Sequence, residues 1–156
     1  MKEFVITILP LLLAVLLLVA AWGDIRSRTI PNSLNAAIAL LAVPWWWATD
    51  ISLWPGVPIQ LAIAATVLLI FAALFAFGAM GGGDVKMLTA LACWLPPIPL
   101  LNMLVVMALA GGLLTVSMLI AHKLRKAQDT LEIPYGVAIA FAGLAVFGER
   151  YLNHFG

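Results

Sequence analysis

Two aspartates stand at the ends of long apolar runs: Asp24 closes the first, and Asp84 opens a later one within Met80-Gly81-Gly82-Gly83-Asp84-Val85-Lys86. An ionisable group in such a place is costly, so it needs a reason. Two carboxylates sharing one site cannot both ionise cheaply, and one keeps a proton near neutral pH. The charged member can take a proton from a water molecule as that water attacks a carbonyl. The neutral member can donate a hydrogen bond to the carbonyl oxygen as charge develops there. This chemistry needs no metal, no cofactor and no nucleophilic side chain. Glycines ahead of Asp84 let a substrate strand or a neighbouring helix come close to the backbone. Because Asp84 opens a helix and Asp24 follows the end of one, the helix dipoles make Asp24 the more proton-loving of the two. The plain alternative is that Asp84 caps a helix, Asp24 anchors an interface and the glycines form a tight turn.

For these acids to meet, the elements that carry them must end on one side of the same barrier. The chain is 65% hydrophobic and 10% charged, with a mean hydropathy of +1.13. A soluble domain is nearer half apolar and a quarter charged, so this composition belongs to a membrane protein. Its 156 residues read as one domain, 1–156, without linker or repeat. A net charge of +1 with scattered basic residues excludes a nucleic-acid surface. Cys93 is the only cysteine, which excludes a disulfide framework within the chain and a Cys-x-x-Cys zinc site.

The expected fold is all-α and polytopic, with six transmembrane helices over 4–22, 34–48, 59–80, 85–95, 101–121 and 133–147. The 19 residues of 4–22 would span about 28 Å, close to a hydrocarbon core. A cleaved signal peptide is disfavoured there, because Arg26 and Arg28 follow the run rather than lead it. Residues 24–32 read as a polar loop, with Asn32 or Ser33 capping the next helix. Trp45-Trp46-Trp47 reads as an interfacial belt, and Pro96-Pro97-Ile98-Pro99 as a turn. The positive-inside rule then sorts the cations. Arg26, Arg28, Lys86, Lys123, Arg125 and Lys126 fall on one side, against only Lys2 and Arg150 on the other. The richer side is cytoplasmic, the N-terminus lies outside, and Asp24 and Asp84 share the cytoplasmic face.

With that layout, three segments resemble one family. Asp24-Ile25-Arg26-Ser27-Arg28-Thr29-Ile30-Pro31-Asn32 is similar to the first aspartate motif of the type IV prepilin peptidases. Gly81-Gly82-Gly83-Asp84-Val85-Lys86 resembles their Gly-x-Gly-Asp-x-Lys motif, and Ile133-Pro134-Tyr135-Gly136-Val137-Ala138-Ile139-Ala140 the start of their last helix. The resemblance implies an inner-membrane aspartic endopeptidase. Such an enzyme cuts the basic leader from prepilin-like proteins after a glycine at the cytoplasmic face. Asp24 and Asp84 would be the catalytic pair, and Gly81 and Gly83 would shape the site. Longer members carry a cysteine-rich cytoplasmic segment and also methylate the new N-terminus. Here the loop after the first span is short and lacks cysteine, as in the compact peptidases of tight-adherence (Flp-type) pilus systems.

Among other residues, Lys86 could pair with an aspartate, contact substrate or snorkel to the interface. Asp129 and Glu132 could attract a leader's cations, though salt-bridging to Lys126 or solvation is the simpler expectation. Apart from the bilayer, the partner implied is a prepilin-like substrate; oligomeric state is not readable. The rival of a different class is a small transporter or scaffold whose two aspartates relay protons or bind a cation. Its acids belong nearer mid-membrane, on matched discontinuous helices.

Overall fold

A computed structural model describes residues 1–124 and 133–155. Arg125, Lys126, Asp129 and Glu132, which entered the charge and leader arguments, lie outside the described residues. The described chain is all-helical: α1 (Lys2–Ser27), α2 (Asn32–Ala48), α3 (Gly56–Ala76), α4 (Gly82–Ala92), α5 (Pro97–Leu124) and α6 (Tyr135–Phe155). Three of them, α1, α3 and α5, are long and apolar enough to cross a membrane. Their outward faces carry exposed large apolar side chains such as Leu11, Val15, Leu18, Leu69, Leu109 and Leu113. Water would not tolerate such faces, but lipid does.

Several boundaries move from those expected. The first helix does not stop at Trp22 but runs on to Ser27. It ends at Arg28 in the left-handed region (φ 53°), whose N–H bonds back to the Asp24 carbonyl. Asp24 is therefore helical rather than part of a loop. Neither Asn32 nor Ser33 caps α2; the cap position is Pro31, with no side-chain bond. The chain leaves α3 at Phe77, and the left-handed residue that turns it is Gly78 (φ 72°), ahead of the Gly81–Gly83 run. Pro97 and Pro99 sit inside the first turn of α5 instead of forming a turn before it. A proline is well placed there because first-turn amides have no helical partner to lose.

At the centre stands α4, packed by α2, α3 and α6, while α1 closes the group against α2 and α6. Its 11 residues are only about 16 Å long, half a hydrocarbon core. Yet Val85, Met87, Leu88, Ala90, Leu91, Ala92, Trp94 and Leu95 are all buried. A helix end this deep leaves carbonyls that no water reaches, so protein must satisfy them. Gln60 Nε2 of α3 donates to the carbonyls of Ala92 (2.6 Å) and Leu95 (2.7 Å). Trp46 Nε1 donates to the Cys93 carbonyl at 2.7 Å. In return, Trp94 Nε1 donates to the Ile38 carbonyl of α2 at 2.8 Å. The tryptophan run is thus only partly a belt. Trp47 is exposed, but Trp45 packs on Trp94 with ring centroids 5.6 Å apart, and Trp46 serves the end of α4.

Replacing Gln60 with Leu keeps the bulk but strands two buried carbonyls. Stability should fall by about 1–3 kcal/mol, measured by reversible unfolding in mixed detergent.

Candidate functional site

Each acid continues a buried stripe of its own helix. On α1 the buried positions Leu13, Leu17, Ala20 and Asp24 follow the three-and-four spacing of a single helix face. On α4 the matching series is Asp84, Leu88 and Leu91. Packing that buries the leucines therefore turns both carboxyl groups inward. Asp24 is 5% exposed and Asp84 9%. They line one cavity of about 250 Å³, with Arg28, Thr29, Ile30 and Gly81 to Gly83 around it. The ends of α1 and α3 and the starts of α2, α4 and α6 meet on this side of the molecule.

Glycines make the approach possible, though not through unusual backbone angles. Gly81 is the extended residue before α4, and Gly82 and Gly83 are already helical. A Cβ on Gly81 would sit 3.0 Å from Asp84 Oδ2. At Gly82 it would meet the Phe75 ring at 3.3 Å, and at Gly83 the Ile30 side chain at 3.3 Å. The run thus admits the Asp84 carboxyl on one side and the α1–α2 connection on the other. Asp84 Oδ2 lies against Gly81, three residues earlier, whose amide favours the charged form of its carboxyl.

The start of α2 is tied to the start of α4 twice. Asn35 Nδ2 donates to the Gly83 carbonyl at 3.2 Å, and Lys86 Nζ donates to Asn32 Oδ1 at 2.8 Å. Lys86 is exposed and engages Asn32 rather than either aspartate. Among the described residues, no cluster of three His, Cys, Asp or Glu side chains could share a metal ion.

Two contributors to the site escaped sequence reasoning. Asn35 is buried, and its Oδ1 accepts no hydrogen bond among the described residues. Gly136, in the first turn of α6, is buried directly against Asp24. A Cβ there would lie 2.8 Å from Asp24 Oδ2 and 2.8 Å from Ile30 Cδ1. Its place inside the third motif was the available signal, but nothing in a sequence says which helix that motif faces.

Both acids lie past the apolar stretches, beyond Trp22 and ahead of Val85. Burial pushes the Asp84 carboxyl up, the charge of Asp24 adds to this, and the Gly81 amide opposes them; the result is about 6. Burial also raises Asp24, against the Gly136 amide first, then the Arg28 charge and the Val137 amide. The dipoles of α1 and α4 are therefore not the only ones that act on the pair. The start of α6 faces Asp24 and favours its charge, and that charge in turn pushes Asp84 toward its protonated form.

Asp24→Asn removes the like charge but not the burial. The Asp84 midpoint should then fall below about 6 while staying above an ordinary carboxylate's, because only one of its two raising causes is gone. A carboxyl ¹³C titration of aspartate-labelled protein measures it.

No curated protein and no solved structure matches the chain. The model of the type IV leader peptidase family matches residues 11–116, a stretch that runs from within α1 into α5 and holds both aspartates. With more than half its length matched, the chain belongs to the type IV leader peptidase family.

Proposed function

We propose that this protein is a membrane aspartic endopeptidase that removes the basic leader from prepilin-like proteins, with Asp24 and Asp84 as its catalytic pair. The observation that carries the reading is the convergence of two buried carboxyls, from separate helices, on one cavity. Family membership supports a leader peptidase role in general. In the proposed arrangement a single domain of six spans crosses the inner membrane with its N-terminus outside, and α4 is the short fourth span. The acids then lie at the cytoplasmic face. The ion pair of Lys2 with Asp50 supports the layout, joining the start of α1 to the α2–α3 turn on the opposite side. Between α1 and α2 stand only Arg28 to Pro31, too little chain for the methyltransferase segment that longer members carry there, which supports cleavage as the activity of this site.

In the reaction, the Asp24 carboxylate takes a proton from water as the water oxygen bonds to the scissile carbonyl carbon. Asp84 donates its proton to the carbonyl oxygen, giving a neutral gem-diol. Collapse of that intermediate breaks the C–N bond. The proton held by Asp24 passes to the leaving nitrogen, and one diol proton returns to Asp84. The products are the leader's new carboxyl group and the mature protein's free amine. A leader junction seated over the cavity expels water and pushes Asp84 further toward its protonated form. Gly81 and Gly83 keep the α4 start free of side chains, while Lys86 shapes the rim through Asn32.

Cleavage in membranes tests the proposal, using a prepilin with a basic leader and a glycine before its hydrophobic helix. Wild type should process it, and Asp24→Asn and Asp84→Asn, at matched expression, should each lose about 10²–10⁴-fold in rate, the usual worth of a general acid or base. Processing by either variant at the wild-type rate would end the paired mechanism. Failure of wild type itself would point to proton or cation transport.

A further inference from the structure

We propose that the first turn of α6 is the third part of the site and that Gly136 is a positioning residue that seats Asp24 as the general base. This rests on the peptidase reading above. Three observations meet here. Asp24 Oδ2 is buried without a hydrogen-bond partner among the described residues. The place where a Gly136 side chain would begin is 2.8 Å from that same oxygen and 3.0 Å from Asp24 Cγ. And α6 packs along α1, so this approach is held by the interface of two helices rather than by a loop.

The contact has an electrostatic sense. First-turn amides of a helix have no carbonyl of their own helix to bond, and they favour an anion in front of them. Only a residue without a side chain lets the carboxylate come up to the turn. The other charges that bear on Asp24 are Arg28 on its own helix and Asp84 on α4. On α2, Asn35 is engaged with the Gly83 carbonyl and Asn32 with Lys86. The Val137 amide also faces Asp24, but it already donates to the Pro134 carbonyl at 3.2 Å. Gly136 therefore contributes the freer donor.

The turn is fixed from behind as well. A Cβ on Gly111 of α5 would meet the Tyr135 ring at 3.3 Å, so α5 presses on the residue just before Gly136. An added methyl at Gly136 could not be relieved by tilting α6 toward α5. The strain would fall on Asp24 and on Ile30, whose Cδ1 is equally close.

The test uses the full chain in lipid nanodiscs, with ¹³C-labelled aspartate in an Asp84→Asn background, which removes the coupled partner. Adding Gly136→Ala should move the Asp24 midpoint up by about one pH unit, because the charged form loses its facing amide. In the Asp84-containing enzyme, Gly136→Ala should lower kcat at least tenfold with little change in KM. The acid limb of its pH profile should move up by the same unit. Gly143→Ala is the packing control, since the three atoms nearest a Cβ there belong to Leu17, at 2.9 Å, and Leu91. It should lower stability and leave the pH profile in place. Where Gly136→Ala alone fails to fold, Ile30→Ala/Gly136→Ala makes room for the methyl but leaves the clash with Asp24. A raised midpoint in that double variant supports the proposal. A wild-type midpoint and wild-type kcat in it would show that Gly136 serves only to pack Ile30, and would overturn the proposal. If wild type cleaves no prepilin, the peptidase reading falls, while the titration still decides whether Gly136 positions Asp24.

Discussion

The structure depends on keeping two carboxyl groups out of water within reach of each other. Neither burial nor proximity is cheap for such a pair. Each acid is held in place by the apolar stripe it terminates, Leu13, Leu17 and Ala20 on α1 and Leu88 and Leu91 on α4. The hydrophobic packing that forms the core therefore also aims the two carboxyl groups. What remains is to make the charge tolerable, and backbone does most of this: the Gly81 amide for Asp84 and the start of α6 for Asp24. A site built from main-chain dipoles needs residues without side chains at each approach, which is why glycine recurs around it.

The same economy explains how a 16.7 kDa chain supports a buried polar centre. Its polar side chains are few, and several of them serve helix termini. Gln60 and Trp46 take up the carbonyls where α4 stops, and Asn35 ties down the carbonyl of Gly83 where it starts. In an apolar surrounding each such group would otherwise be orphaned, and helix ends are where orphans arise.

Much of this was legible in the sequence. Composition and run length gave an all-helical, membrane-type chain, and the two aspartates stood out as charges at the edges of apolar runs. Their inward direction is implicit in the spacing from Leu13 and Leu17 to Asp24. Less legible was everything set by one helix meeting another. Residues that end a helix look like loop when they are polar, so Asp24 to Ser27 read as a connection although they close α1. The tryptophans in the last turn of α2 look alike in sequence, yet one faces outward, one stacks and one bonds a carbonyl. The glycine run left two readings, close approach or a tight turn; Gly78 makes the turn and the run makes room. Gly136 could be found only once α6 was seen against α1. The dipole argument was incomplete for the same reason: it weighed the two helices bearing the acids and missed the third that faces them.

The shortness of α4 makes it a fixed strut. At one end its carbonyls rest on Gln60 and Trp46, and at the other Gly83 is tied to Asn35. With both ends tied, its number of residues becomes a dimension of the site. One residue added between Val85 and Ala92 would turn Asp84 by roughly 100° and shift it by about 1.5 Å along the axis, away from Asp24. Side-chain replacements along this helix can be absorbed by repacking, but a change of length cannot. The distance from the Gln60 and Trp46 anchor to the two acids is counted out in the residues of one short helix.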